Sequence, residues 1–348
     1  INLKGFVKMK VKDLDYELPS ELFAREPREV SGQKRSDSNL LVMNRKTKAV
    51  ETKKFQDIIG YFKKGDILVL NNSKTINACL IGKFEGNKRI EIQLCGRNEA
   101  NQWQCYIPLD STLNEGGVIN FKGMLTGKLV KKRTERLWLA EFDQENVIEL
   151  ANKVGKPINS HYMSKQWSLE YYQNIYSSVD GSSELPAAGR HFSEEILEEL
   201  KTKGVIIEYI TLHTGLSSIV VQEEEFEQHV MHSEEIEISQ KTADIINTKR
   251  KEGGRLFGIG TTVVRTLESV AKEDGTLSAF SGFTSLYIYP GYKFKIIDAF
   301  VTNFHGPRST RIALAAAFTG EELLKKGYEQ AICNKFKFFE FGDATLTI

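Results

Sequence analysis

No run in the 348-residue chain approaches the eighteen or so consecutive apolar positions of a membrane span, so no membrane association is expected. Cysteine is scarce: Cys79, Cys95, Cys105 and Cys333 occur without CxxC spacing. That argues against structural zinc and against a disulfide framework, and makes a reducing, cytoplasmic setting the default. The opening INLKGFVKMKVKDLDYELP holds no apolar block long enough for a cleavable signal. It begins at Ile1, so residues 1–8 read as an extension and Met9 as a natural start. Charge of one sign is also lacking, since 47 basic residues face 46 acidic ones for a net +1. A polyanion partner would therefore need a local patch, for which Lys131, Lys132, Arg133 and Arg136, or Lys335 and Lys337, are the candidates. Each cluster taken alone reads as a solvated charged face.

What is present is a globular composition, 41% hydrophobic and 27% charged, long enough for two domains. The chain opens with strand-like LLVMN and helix-like FQDIIGYFKKG. From Gly65 short alternating runs follow (GDILVLNN, ACLIGKF, RIEIQLCG, WQCYIPL, GGVINFKG, LTGKLVKK, RLWLAEF), punctuated by Gly, Asn and charged turns. This texture predicts a small β-barrel or sandwich over about residues 66–145. After Val147 helices and strands alternate: ENVIELANKVG, SEEILEELKTKG, EISQKTADIINTKRKEGG and TTVVRTLESVAKEDG as helices, VIIEYITLHTG and RLFGIG as strands. SLYIYPGYKFKIIDAFVTNFHG reads as strand-rich. The predicted fold class is mixed α/β, with residues 9–65 and 146–348 forming a discontinuous main domain around the inserted barrel.

Three of the six histidines sit beside glycine at strand or loop ends, His191 in PAAGRHFSEE, His213 in TLHTGLSS and His305 in TNFHGPRST. α/β proteins place ligands there, and each histidine has the alternative of being a satisfied structural group. His229, His232 and Glu234 stand close together in QHVMHSEE; their HxxHxE spacing is no known metal signature, and contacts to substrate or to a neighbouring strand suit them better. In RLFGIGTTVVRTLES a strand ends at Gly258-Ile259-Gly260 and a helix starts at Thr261 and Thr262, whose exposed amides and threonine cap would suit an anion. Arg265, one turn on, either faces that anion or braces the helix. FHGPRSTRIAL repeats the logic, with Pro307 breaking the strand, Arg308 offering a cation and Ser309 or Thr310 as a cap.

In this order, DLDYELPSELFAREP, GDILVLNNSKTINACLIG, YYQNIY, LPAAGRHFSEEIL, TLHTGLSS, HVMHSE, GIGTTVVRTLES, YPGYKFKIIDAFVTNFHGPRST and FFEFGDATLTI resemble the S-adenosylmethionine:tRNA ribosyltransferase-isomerase family of queuosine synthesis over residues 10–348. The resemblance implies an enzyme that moves and isomerises the ribosyl part of S-adenosylmethionine onto the 7-aminomethyl group of a 7-deazaguanine at the tRNA wobble position. Adenine and methionine leave, and epoxyqueuosine forms. It implies a base for the C5′ proton next to the sulfonium, a proton donor for adenine, a grip on the methionine carboxylate, and no metal. Mapped here, His191 or His213 is the base, Gly260, Thr261, Thr262 and Arg265 hold an anionic group, and His305 with Arg308 completes the pocket. Asn71, His229, His232 and Glu234 are assigned to substrate.

Departures cluster in the N-terminal half. The family's Asn-Asp-Thr-Arg and Pro-Ala-Arg read Asn71-Asn72-Ser73-Lys74 and Asn77-Ala78-Cys79, and its Thr-Ala-Gly-Leu-His reads Ala187-Ala188-Gly189-Arg190-His191. Lys74 for Arg forfeits bidentate geometry. This leaves two alternatives: a paralogue using S-adenosylmethionine with a small-molecule acceptor or as a lyase, and a non-catalytic nucleotide- or RNA-binding descendant.

Overall fold

The computed structural model describes residues 10–85, 88–108, 110, 112–215 and 221–348; the extension at residues 1–8 and the LSS of TLHTGLSS lie outside them. In chain order come β1 (Asn39–Met43), β2 (Val50–Lys54), β3 (Ile67–Asn71) and β4 (Ser73–Thr75). Six strands then close a barrel: β5 (Cys79–Phe84), β6 (Lys88–Arg97), β7 (Trp103–Tyr106), β8 (Val118–Phe121), β9 (Leu125–Lys132) and β10 (Leu137–Phe142). The remainder is α1 (Val147–Val154), β11 (Val179–Ser182), α2 (Glu194–Thr202), β12 (Ile206–Leu212), β13 (Glu234–Ile238), α3 (Gln240–Lys251), β14 (Leu256–Ile259), α4 (Thr261–Val270), β15 (Phe280–Thr284), β16 (Ala299–Asn303), α5 (Thr310–Thr319), α6 (Glu321–Cys333) and β17 (Ala344–Thr347).

Nine strands form one sheet in the order β15-β13-β12-β3-β14-β16-β17-β1-β2. The four at its heart, β12, β3, β14 and β16, are mutually parallel. Their pattern explains this. All five residues of β3 are buried, Ile67 and Val69 in the core cluster beneath α3 to α6, Leu68 and Leu70 in the one beneath α2. A strand covered on both faces reads as a continuous apolar run, as ILVLN does. The predicted barrel therefore needs one correction: Ile67–Asn71, placed there by texture, lies at the centre of the main sheet, and the barrel strands begin at Cys79. In the barrel β8, β9 and the first part of β6 alternate instead, as one-sided burial requires, and α1 seals the interior with Val147, Leu150, Ala151 and Val154.

SLYIYPGYKFKIIDAF also differs from expectation, because Ala299–Asn303 is its only strand. The reason is Glu268, buried on α4, whose carboxylate accepts from the amides of Lys295 (2.9 Å), Ile296 (3.2 Å) and Ile297 (3.3 Å). Backbone donors satisfied by a side chain need no neighbouring strand.

Within this sheet β3 is followed along the chain by β12, and β14, through α4, by β15 beyond β13, both on the same side. In open α/β sheets ligands sit in the crevice outside the carboxyl ends of the parallel strands. Asn71, Ile259, Asn303 and Leu212 all end at that edge, and the residues that follow them build the site.

Candidate active site

The first element is the amino end of α4. Gly260 ends β14 with φ +92°, a conformation L side chains rarely adopt, and its position N-caps the helix with no side-chain cap bond. The expected threonine cap is therefore corrected. Thr261 and Thr262 stand inside the first turn, and the amide end of the helix is left open toward the crevice. By contrast α2, α3 and α5 are each closed by a serine, Ser193, Ser239 and Ser309. An uncapped helix start with a positive partial charge favours an anion.

Arg265 projects from the next turn, buried to 4% exposure. Its Nη1 pairs with Glu234 and its Nε donates to the Leu286 carbonyl at 3.0 Å, so it does brace the helix. Its Nη2 is buried without a hydrogen-bond partner. Such an orphan donor calls for an acceptor. It borders a narrow cavity that Thr261, Met231, Tyr287, Thr310 and Arg311 also line.

The three histidines all reach this edge, in different states. His191 is buried between Ser38, whose Oγ is 2.8 Å from Nδ1, and Asn303, whose Oδ1 is 3.2 Å from Nε2. Asn303 spends its Nδ2 on the Phe339 and Glu340 carbonyls, so its Oδ1 must accept from Nε2–H, and Nδ1 then accepts from Ser38. Burial pushes the imidazole down to about 3 against the help of Asn303. With both nitrogens engaged, His191 is a neutral strut, which corrects its candidacy as the base. His305 is similar: buried, bonded to Thr302 Oγ1 at 2.9 Å, and pushed down to about 3 by burial and then by Arg311.

These two give a stability test. In the unfolded chain each titrates at its ordinary 6.5, in the folded protein only near 3. Above 6.5 neither state is protonated; as pH falls below 6.5 the unfolded chain takes up protons that the folded one refuses, and stability drops down to about pH 3. At pH 5 the loss is about 2 kcal/mol for each histidine. Glu340 works in the opposite direction, so variants must be compared: urea unfolding of His191→Asn and His305→Asn should each show about 2 kcal/mol less change between pH 7 and 5 than the parent. Parallel pH dependence in all three proteins would refute the assignment.

His213 differs. It follows β12, its Nδ1 lies 2.7 Å from Ser73 Oγ, and Ser73 Oγ lies 2.6 Å from Ser182 Oγ. The ring packs on Gly181, where a Cβ would stand 2.5 Å from Nδ1 and only glycine fits. Burial lowers its pKa, Glu235 opposes the shift, and Nε2 has no bond among the described residues. A neutral imidazole with one nitrogen open is equipped to accept a proton.

Sequence reasoning missed a group around Arg311, which lines the same narrow cavity as Arg265. Glu184 accepts from Arg311 at 2.6 Å, and Ser160 Oγ donates to Glu340 at 3.2 Å. Burial first, and the charge of Glu184 next, push Glu340 up to about 7 although Arg311 pulls it down. The folded surroundings of FFEFGD, invisible in the string, make this carboxyl unusual. The cation beside α5 is likewise Arg311 and not Arg308, which is exposed on its loop at φ 56°.

The residues assigned to substrate are mostly engaged elsewhere. Asn71 spends its Nδ2 on the Leu212 carbonyl (2.9 Å) and its Oδ1 on the amides of Ser73 and Leu212, so it ties β3 to β12. Glu234 is buried, holding Arg265 and the Gly215 amide at 2.7 Å. His229 bonds to Glu223 at 3.1 Å. Only His232 opens onto a groove, described below. No group of three or more His, Cys, Asp or Glu side chains converges on a metal position among the described residues.

A family model described as queuosine biosynthesis protein matches residues 11–347. A curated S-adenosylmethionine:tRNA ribosyltransferase-isomerase from Thermoanaerobacter sp. (strain X514) is 41% identical over 345 residues, 98% of this chain and 100% of that protein. The crystal structure of S-adenosylmethionine tRNA ribosyltransferase from Thermotoga maritima is similar at a TM-score of 0.56 and 32% identity, covering 97% of this chain and 100% of that one.

Proposed function

The chain belongs to the queuosine biosynthesis protein family, and from that premise we propose that it transfers and isomerises the ribosyl group of S-adenosylmethionine onto tRNA. The acceptor in this reading is the aminomethyl group of a 7-deazaguanine at the wobble position. The observation that supports it best is the open amino end of α4, just after the carboxyl end of β14, with the unpartnered Nη2 of Arg265 beside it. Together they suit the carboxylate of a methionine moiety.

Bound there, S-adenosylmethionine supplies an electrophilic ribosyl group whose C5′ proton is acidified by the adjacent sulfonium. The protein supplies a base and an acid. His213 and Glu340 have environments that push their pKa values in opposite directions, the pattern of an acid–base pair. His213 accepts the proton at Nε2, with Ser73 holding the ring by Nδ1. Glu340, still largely protonated below neutrality, gives its proton to the departing adenine. His191 and His305 keep the end of β16 rigid beneath them.

The test is adenine release from S-adenosylmethionine, followed by chromatography with and without tRNA carrying the 7-aminomethyl base. Release that requires the tRNA is expected. Release without it would move the function to a small-molecule or lyase reaction, and no release would leave only binding.

A further inference from the structure

The basic hairpin of the barrel is not a uniform solvated face. Lys132 lies over the Trp138 ring at 5.5 Å, and Arg136 donates to the Tyr106 hydroxyl at 2.9 Å. Lys131 and Arg133, two apart and so on one side of the extended chain, have exposed side chains with no ion pair among the described residues. These two uncommitted cations line a groove of about 910 Å³ between the hairpin and the 230–233 segment of the main domain. Its size falls in the usual range of ligand sites, about 300–1,000 Å³. Val230, 75% exposed, and His232 form the opposite wall. The charge of Arg133 reaches His232 and, after burial and His229, lowers its pKa. Gln104 of the barrel, donating to the Ser233 carbonyl at 3.2 Å, holds the two walls in register. One acid, Glu99, borders the groove and accepts from Ser233 Oγ at 3.3 Å.

Met231 connects this groove to the chemistry. It lines the groove, and it also lines the narrow cavity that Thr261, Arg265 and Arg311 border. A chain lying in the groove is thus one side chain away from the open end of α4. We infer that the groove seats the sugar-phosphate backbone of the RNA that carries the acceptor base, with Lys131 and Arg133 on phosphates and Met231 at the threshold through which the base enters. The inference rests on the ribosyl-transfer reading. A phosphate chain is favoured over a protein segment because the two unpaired cations outnumber the single carboxylate, Glu99, and a near-neutral molecule needs such a local patch to hold a polyanion.

Tight binding to full-length tRNA is measured by fluorescence anisotropy across 50–200 mM salt, with turnover at saturating S-adenosylmethionine. Lys131→Ala/Arg133→Ala is expected to weaken tRNA binding about tenfold and to reduce the salt slope by roughly one to two. KM for tRNA rises in step, while kcat and S-adenosylmethionine affinity stay within about twofold, which also verifies folding. A tail variant, Lys335→Ala/Lys337→Ala, should match the parent. An unchanged tRNA Kd and salt slope in the hairpin variant would overturn the inference, and so would a loss confined to the tail variant. A parent protein that releases no adenine with tRNA overturns the functional reading instead; if it also fails to bind tRNA, both fall.

Discussion

Turnover of the parent enzyme should follow a bell-shaped pH profile, and two single substitutions should each remove one side of it. The base must be unprotonated, and burial has moved His213 below its ordinary 6.5, so activity falls only at pH values acid of that point. The acid must be protonated, and Glu340 titrates near 7, so activity declines above neutrality. His213→Asn is expected to lower kcat by about 10²- to 10⁴-fold and flatten the acid limb. Glu340→Gln should lose a similar factor and flatten the basic limb, with S-adenosylmethionine affinity held. Were Glu340 the base instead, activity would rise through pH 7 in the parent. If both variants kept the parent's profile, neither group would be part of proton transfer. His191→Asn should leave both limbs in place, because its two nitrogens are already bonded within the protein.

The Arg265–Glu234 pair should show the largest effect on stability. Both side chains are almost wholly buried, so truncating one strands the charge of the other. Arg265→Met is expected to destabilise the protein by about 3–5 kcal/mol in urea unfolding. Arg265→Met/Glu234→Leu removes both charges and should regain most of that stability. The same pair of variants separates brace from ligand group. If Nη2 holds the substrate carboxylate, the double variant folds well and still binds S-adenosylmethionine at least tenfold more weakly, the scale of a lost charge-assisted hydrogen bond of about 1.5–3 kcal/mol. Parent-like affinity in a stable double variant would reduce Arg265 to the brace alone.

Arg190 illustrates how a departure from the family pattern is absorbed. It occupies the place of an apolar residue, yet it is buried against Glu29, donates to the Tyr171 carbonyl at 2.8 Å and lies 4.7 Å over the Phe341 ring. Burial pushes it down to about 10, which still leaves the charge in place at neutral pH. The change sits one residue from His191, whose two bonds, to Ser38 and Asn303, are both in place.

What could be read from the string was whatever depends on neighbours along the chain. Short runs with turn punctuation marked the barrel strands, the amphipathic run SEEILEELKTKG marked α2, and the strand-to-helix turn at Gly260 marked the start of α4. The uninterrupted apolar run of β3 carried the same information but was assigned to the barrel, because a doubly covered strand has no alternation to betray its place. The partners of the histidines are set only in three dimensions. His191 meets Ser38 from 153 positions away and Asn303 from 112, and His213 meets Ser73 from 140. Likewise the carboxyl of Glu340 is pushed up only because folding takes it out of water near Glu184 and Arg311. A side chain's proton affinity is set by the dielectric and partners around it, and those come from segments that only the folded sheet brings together.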